Sequence, residues 1–337
     1  MRRWEITEFG SDLRLVTDEG AAEASLLPHQ VRVRLTAWSL NYRDLLVSRG
    51  QYNPRQKLPL VPVSDGYGEI TEVGAEVQQW KVGDRVCPLF APRWQAGSPT
   101  REAARSLLGS PLDGCLREEM ILEESAVVRP PSHLSPTEAA TLPCAALTAW
   151  SALAVESRTL AGDTVLTQGT GGVSIFAVQI AKILGARVIA TSSSDEKLAR
   201  LKELGADEAI NYRSDPDWGK TARGFTGGRG VDHVIDVGGA STLPQSLRAV
   251  TIGGTISLIG ILGGRKEPFD VIPVMMNQIR LQGILVGHRA GFESMGRAME
   301  AHQLRPLVDR TFRFEEAPEA FSYLASGAHF GKVCLAP

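Results

Sequence analysis

The stretch "VLTQGTGGVS", residues 165–174, decides how the second half of this 337-residue chain is read. Its first residues belong to "DTVLTQ" (163–168), a short apolar run that suits a buried strand. "GGVSIFAVQIAKILG" (171–185) follows as a helix closed by Gly185. Gly169, Gly171 and Gly172 fall between the two, with Val173 entering the first helical turn. Glycines at a strand-to-helix turn let the backbone approach a pyrophosphate, and the helix-start N–H groups and dipole attract the anion. Ser174 takes the third position of G-x-G-x-x-G, where a small residue still permits close packing of helix on strand. A dinucleotide site is the expectation.

The same alternation runs on through "ARVIAT" (186–191), "DEKLARLKELG" (195–205), "DEAINY" (207–212), "GVDHVIDVGG" (230–239), "GTISLIGILGG" (254–264) and "LQGILVG" (281–287). Strand alternating with helix predicts an α/β domain with a doubly wound parallel sheet covered on both faces. The turns at Gly238, at Gly260–Ile261 and at His288–Arg289 then fall on the carboxyl side of the sheet, where ligands bind.

The nucleotide is read from the end of the second strand. A binder of NAD(H) usually carries an acid there, for the ribose hydroxyls. This chain has Thr191-Ser192-Ser193-Ser194. The hydroxyls of Ser192 and Ser193 can donate to a 2′-phosphate that an acid would repel, and Lys197, Tyr212 and Arg213 can add contacts. Locally the same residues also read as a capping box, Ser193 to Glu196, with Asp195 in the first turn. NADP(H) is expected, with NAD(H) as the alternative.

Residues 1–126 have a different texture. Val31–Leu35 alternates, and "DGYGEITEVGAEV" (65–77) and "WKVGDRVCPLF" (80–90) are strand-turn-strand patterns, so an antiparallel β domain is predicted. Residues 93–113 interrupt it with a polar insert that has room for one short helix, and reads as a lid, a rim or a plain surface loop. From Arg289 onward helix and strand signals return and complete this first domain. The expected division is 1–126 with 289–337, and 127–288.

A net charge of −2 offers no basic field to nucleic acid and no polybasic tail to a membrane. The N-terminus lacks the apolar run of a signal peptide, and the most apolar stretch, 173–190, is broken by Gln179, Lys182 and Arg187. A cytoplasmic chain is expected. Cys87, Cys115, Cys144 and Cys334 lie far apart without a C-x-x-C pair, which argues against a disulfide framework or a zinc knuckle. Five of the six histidines are scattered without ligand spacing; only His288 falls at a predicted cofactor turn.

With "PCAALTAW" (143–150), "GVDHVIDVGG" and the closing "FGKVCL" (330–335), the chain resembles the medium-chain dehydrogenase/reductase superfamily over essentially its whole length. The resemblance implies a GroES-like β domain built from both chain ends, a Rossmann-type cofactor domain between them, and a homodimer paired through "LQGILVG"-like edge strands. It also implies cofactor contact by Thr148, by Gly260–Ile261 and by His288–Arg289. In the zinc branch three ligands match Asn41, Ser64 and Cys144, and a proton-relay hydroxyl matches Arg43. One thiol with an amide and a hydroxyl does not make a zinc site, so no zinc is expected. "SLNYRD" (39–44) and "RGQY" (49–52) look like the zinc-free quinone and enoyl reductases, where the residue matching Asn41 lines the substrate pocket and that matching Tyr52 is a proposed proton donor. A small-molecule quinone or α,β-unsaturated carbonyl is the expected substrate. The alternatives are an NAD(P)-dependent alcohol dehydrogenase or aldehyde reductase, and a non-catalytic nucleotide-binding or sensor protein.

Overall fold

The computed structural model describes residues 1–18 and 25–337. In chain order the strands are β1 (Arg2–Glu5), β2 (Arg14–Thr17), β3 (Gln30–Leu40), β4 (Asp65–Val73), β5 (Arg85–Pro88), β6 (Glu119–Glu123), β7 (Val127–Val128), β8 (Thr164–Gln168), β9 (Arg187–Ser192), β10 (Glu208–Asn211), β11 (Val231–Asp236), β12 (Val250–Leu258), β13 (Arg280–Gly283), β14 (Val308–Arg313) and β15 (Lys332–Ala336). Two compact units divide the chain: Met1–Leu147 with Gly287–Pro337, and Thr148–Val286.

The first unit is built on β3. This strand pairs antiparallel with β4 along its length, with β6 beside its first half and with β15 beside its last residues. The sheet order is β14-β15-β3-β4-β5-β7, antiparallel except for the parallel pair of β14 and β15. Val31, Val33 and Leu35 are buried as their alternation predicts, but Arg32 is buried too, and bonds Glu72 at 2.9 Å across the strand pair. Trp38 is the most deeply buried of the three tryptophans in this core, beside Trp4 and Trp80. Its indole N–H donates to the Cys115 carbonyl at 2.6 Å, and its ring lies 4.7 Å from that of Phe314.

Residues 127–147, which texture alone places in the parallel-sheet domain, lie in the first unit. The reason is pairing and packing: β7 pairs with β5, and the helix Pro136–Ala140 rests on β3 and β4, with the Cys87 thiol directed at the Ala139 carbonyl. The short Gly287–His288 segment joins the same unit. The insert 93–113 contains one 3₁₀ turn, Ala103–Arg105.

The second unit is an all-parallel sheet in the order β10-β9-β8-β11-β12-β13, a Rossmann-type doubly wound arrangement whose order reverses between β8 and β11. Gly185 and Gly205, both with left-handed φ, end the helices Gly172–Ile183 and Asp195–Glu203. Leu198 and Leu201 of the second helix are buried, while Leu204 is half-buried. Among the described residues no helix is long and apolar enough to cross a membrane.

Trp38→Ala removes a buried indole and its hydrogen bond, and should cost about 3–5 kcal/mol of stability. Denaturant unfolding checks this through a lower midpoint at unchanged slope. A loss below about 1 kcal/mol would mean that this core does not depend on the ring.

Candidate functional site

Where β3 ends, Asn41 opens the helix Tyr42–Ser48 as its N-cap, and the Asp44 carboxylate accepts from the Asn41 backbone N–H at 2.8 Å. With its cap supplied by Asp44, the Asn41 amide is turned elsewhere. Its Nδ2 donates to Asp65 Oδ2 at 2.9 Å, and its Oδ1 accepts from Lys332 Nζ at 2.6 Å. Lys332 also donates to the Leu40 carbonyl at 2.6 Å and stands 3.8 Å from the Asp65 carboxylate. Ser64 Oγ donates to the other Asp65 oxygen at 3.0 Å. Burial pushes the Asp65 carboxyl above its usual range, against the pull of Lys332 and of the hydrogen bonds from Asn41 and Ser64. Cys144 is buried as well, in the helical segment Leu142–Ala146. Burial first and the Asp65 charge second push its thiol up.

Two residues after Asn41, Arg43 is buried with its guanidinium against two aromatic rings, 4.7 Å from the Tyr52 centroid and 4.9 Å from that of Phe90. Its two terminal nitrogens donate to the carbonyls of Leu108 and Ser110, at 2.9 and 3.2 Å, so it anchors the far end of the insert. Tyr52 itself is 36% exposed, and its backbone N–H donates to the Leu46 carbonyl just after the helix. The near end of the insert is held by the first unit's other chain segment. The N–H groups of Arg289 and Ala290 donate to the carbonyls of Trp94 and Gln95, and the Trp94 ring meets His288 edge-on at 5.6 Å.

His288 and Arg289, expected at a cofactor turn, are therefore engaged within the first unit. The His288 ring caps the helix Arg289–Ala301 by accepting from the Gly291 N–H, and the Arg289 guanidinium bonds Glu293 and the Ser125 carbonyl. Thr148 is buried at the start of the second unit.

The other predicted cofactor residues gather at the carboxyl ends of the parallel strands. Gly169 has a left-handed φ of 74°, and Gly171 caps the helix Gly172–Ile183 without a side chain. A Cβ at either position would meet nothing within 4 Å, so the turn has open space before it. The first-turn N–H groups of Gly172, Val173 and Ser174 have no carbonyl of their own helix to bond, which suits a phosphate. Ser174 turns its hydroxyl inward to the Gln168 carbonyl at 2.6 Å. Gly238 and Gly260 are required by close approach: a Cβ would lie 2.4 Å from Thr242 in the first case and 2.3 Å from the Val237 carbonyl in the second. Ile261 is half-buried beside them.

At the end of β9, Ser192 is buried and Ser193 half-buried, and Tyr212 is 41% exposed at the end of β10. The expected capping box from Ser193 does not form. Ser194 is the N-cap and accepts from the Lys197 N–H at 3.3 Å, because the strand runs one residue further before the helix turns. Asp195 spends its carboxylate on Asn211 Nδ2 at 2.7 Å.

Sequence reasoning missed two features. The first is Lys332, whose only signal is a lysine opening the apolar strand of "FGKVCL". The second is a buried chain beneath the loops. Gln168 donates to Ser246 and accepts from the Gly238 N–H, while Ser246 donates to Asp236, which also receives Thr242 and the Gly239 N–H. A glutamine ending a buried strand just before the glycine turn was its trace.

Burial, opposed by Arg43, pushes the Asp44 carboxyl up to about 6. The unfolded chain releases that proton near pH 4. Between these values the folded state binds more protons, so the stabilising contribution of Asp44 is fully present below about pH 4 and is lost as pH rises through about 6. Asp44→Asn keeps an acceptor for the Asn41 N–H without the ionisation. Its stability relative to the unsubstituted protein should rise across this window by about 2–3 kcal/mol, checked by urea unfolding at several pH values. Parallel curves for the two proteins would refute it.

Comparison with known proteins places this geometry in a family. The pattern described as "Zinc-binding dehydrogenase" matches residues 172–301, and "Alcohol dehydrogenase GroES-like domain" matches residues 27–132. A zinc-type alcohol dehydrogenase-like protein of Schizosaccharomyces pombe is 43% identical over 96% of this chain and 95% of its own. Quinone oxidoreductase-like protein 2 of Bos taurus is 28% identical over 91% of this chain and 85% of its own. The crystal structure of a provisionally assigned alcohol dehydrogenase from Sinorhizobium meliloti 1021 superposes with a TM-score of 0.93 at 41% identity, covering 100% of this chain and 98% of that one. By its two domains and by these full-length relatives, the chain belongs to the medium-chain dehydrogenase/reductase superfamily of nicotinamide-dinucleotide-dependent oxidoreductases.

Proposed function

We propose that this protein is a zinc-independent reductase that uses NADPH to reduce a quinone or an α,β-unsaturated carbonyl. The observation that carries the reading is the Asn41–Asp65–Lys332 cluster. At the positions matching the family's zinc ligands stand an amide engaged at both ends, a hydroxyl donating to Asp65, and a single thiol. This donor set does not fit Zn²⁺, which takes thiolate, neutral imidazole or carboxylate. What the cluster offers is hydrogen-bond donation: Asn41 Nδ2 carries a second hydrogen beyond the one given to Asp65.

The nicotinamide supplies hydride when bound. The residues of the chain then have two tasks. Asn41 donates to the oxyanion that forms on the substrate. Tyr52, 36% exposed as a residue, supplies the proton and is reprotonated by water. The quinone oxidoreductase-like relative supports this substrate class. For the nucleotide, Ser193 and Tyr212 offer hydroxyls at the ends of β9 and β10, and of the two acids in the first helical turn, Asp195 and Glu196, Asp195 is bonded to Asn211.

A homodimer belongs to the same proposal. β13 is the edge of the parallel sheet, and the helix Ile272–Met276 before it buries none of its residues: Met275 is 71% and Met276 75% exposed. Pairing of two β13 edges would close the sheet and cover these side chains. Cytoplasmic residence completes the reading.

Chelator-washed protein should consume NADPH with a quinone or an enone at an undiminished rate, faster than with NADH, and Asn41→Ala should lower kcat by about 10²-fold. Aldehyde turnover that vanishes with chelator and returns with zinc would overturn the reading. Light scattering should give twice the mass of one chain, and Met275→Glu with Met276→Glu should give single chains. A monomer before substitution would sink the dimer.

A further inference from the structure

We infer that Arg43 is a positioning residue for Tyr52, holding the phenol ring and balancing the negative charge left when Tyr52 gives up its proton. The inference rests on the reading of Tyr52 as proton donor.

Arg43 is held on every side. Its terminal nitrogens bond the Leu108 and Ser110 carbonyls at 2.9 and 3.2 Å, and its Cζ lies over the rings of Tyr52 and Phe90 at 4.7 and 4.9 Å. Its Nε is buried without a hydrogen-bond partner, and Asp44 Oδ1, the carboxylate oxygen paired with the guanidinium, is 3.7 Å from a terminal nitrogen and has no hydrogen bond either. Anchoring the insert accounts for the two terminal nitrogens alone. It does not account for burying the remainder of a cation against an aromatic ring, which costs solvation unless the ring returns the attraction. A phenol ring that develops negative charge returns it most strongly.

The step balances as follows. After hydride addition the reduced substrate is an enolate or hydroquinone anion. The Tyr52 O–H bond breaks, and its proton goes to that anion. The electron pair stays on the phenolate oxygen, beside the Arg43 cation, until water reprotonates it. No other oxidant or base is required. Arg43 touches no substrate in this account; it acts through Tyr52.

The test uses four variants, Tyr52→Phe, Arg43→Ala, Arg43→Lys and Arg43→Ala with Tyr52→Phe, assayed with NADPH and cyclohexenone after melting curves confirm folding. Tyr52→Phe and Arg43→Ala should each lower kcat by about 10²-fold while KM stays within about threefold. The double variant should be no slower than the slower single. Guanidinium chloride, far below unfolding concentrations, should restore rate to Arg43→Ala and not to the double variant. Arg43→Lys, which keeps a cation but not the planar fork, should be slower than the unsubstituted enzyme yet about tenfold faster than Tyr52→Phe. This variant carries the test if Arg43→Ala fails to fold. Losses that multiply, rescue of the double variant, or an Arg43→Lys enzyme as slow as Tyr52→Phe would overturn the inference alone. A Tyr52→Phe enzyme at full rate would overturn the proton-donor reading and this inference with it.

Discussion

Asp65 carries a carboxylate with no exposed surface, and Lys332, the cation facing it at 3.8 Å, is 3% exposed. Taking such a pair out of water costs several kcal/mol per ion, recovered only where geometry is good and the remaining donors and acceptors are met. Here the partners come from three distant places. Lys332 opens β15, Asp65 opens β4 with Ser64 just before it, and Asn41 follows β3. The pair therefore fastens three chain segments at one point, and no single member can be lost without leaving a buried charge alone. The same fastening decides how the Asn41 amide lies, since the ammonium claims its oxygen and the carboxylate one of its hydrogens.

The second unit uses a neutral version of this logic. Asp236 is also without exposed surface, and its oxygens are met by the hydroxyls of Ser246 and Thr242 and by the Gly239 N–H. Gln168 links that group to the end of β8. The chain of bonds thus runs from one loop of the sheet's reversal point to the other, the place where an open α/β sheet receives its ligand. Glycines set how near these backbones come to each other; the buried polar chain sets where they stop.

Much of this was legible in the residues. The βα alternation is long and strongly periodic, so the parallel sheet and its glycine turns follow from local pattern alone. The boundary at 127 does not, because a helix that packs on another unit's strands has the same texture as one that covers its own. The Ser193 cap failed for a smaller reason: serines in a row differ only in where the strand ends, and that depends on pairing of β9 with β10. Lys332 was beyond reach for a third reason. Its partners lie about 270 and 290 residues away in sequence, and one lysine in an apolar strand does not say which carboxylate it meets.

The cluster also bears on which substrate the proposed reaction suits. A carbonyl reduced directly leaves an alkoxide, a strong base with its charge concentrated on one oxygen. A reduced enone or quinone leaves an anion spread over a conjugated system, a far weaker base. An amide N–H whose carbonyl end is held by an ammonium is a polarised donor, since hydrogen bonds in a chain strengthen one another. Asp65, on the same amide nitrogen, would repel a concentrated charge. In the proposed conjugate reduction the charge is shared over several atoms, which lowers its repulsion by the Asp65 carboxylate.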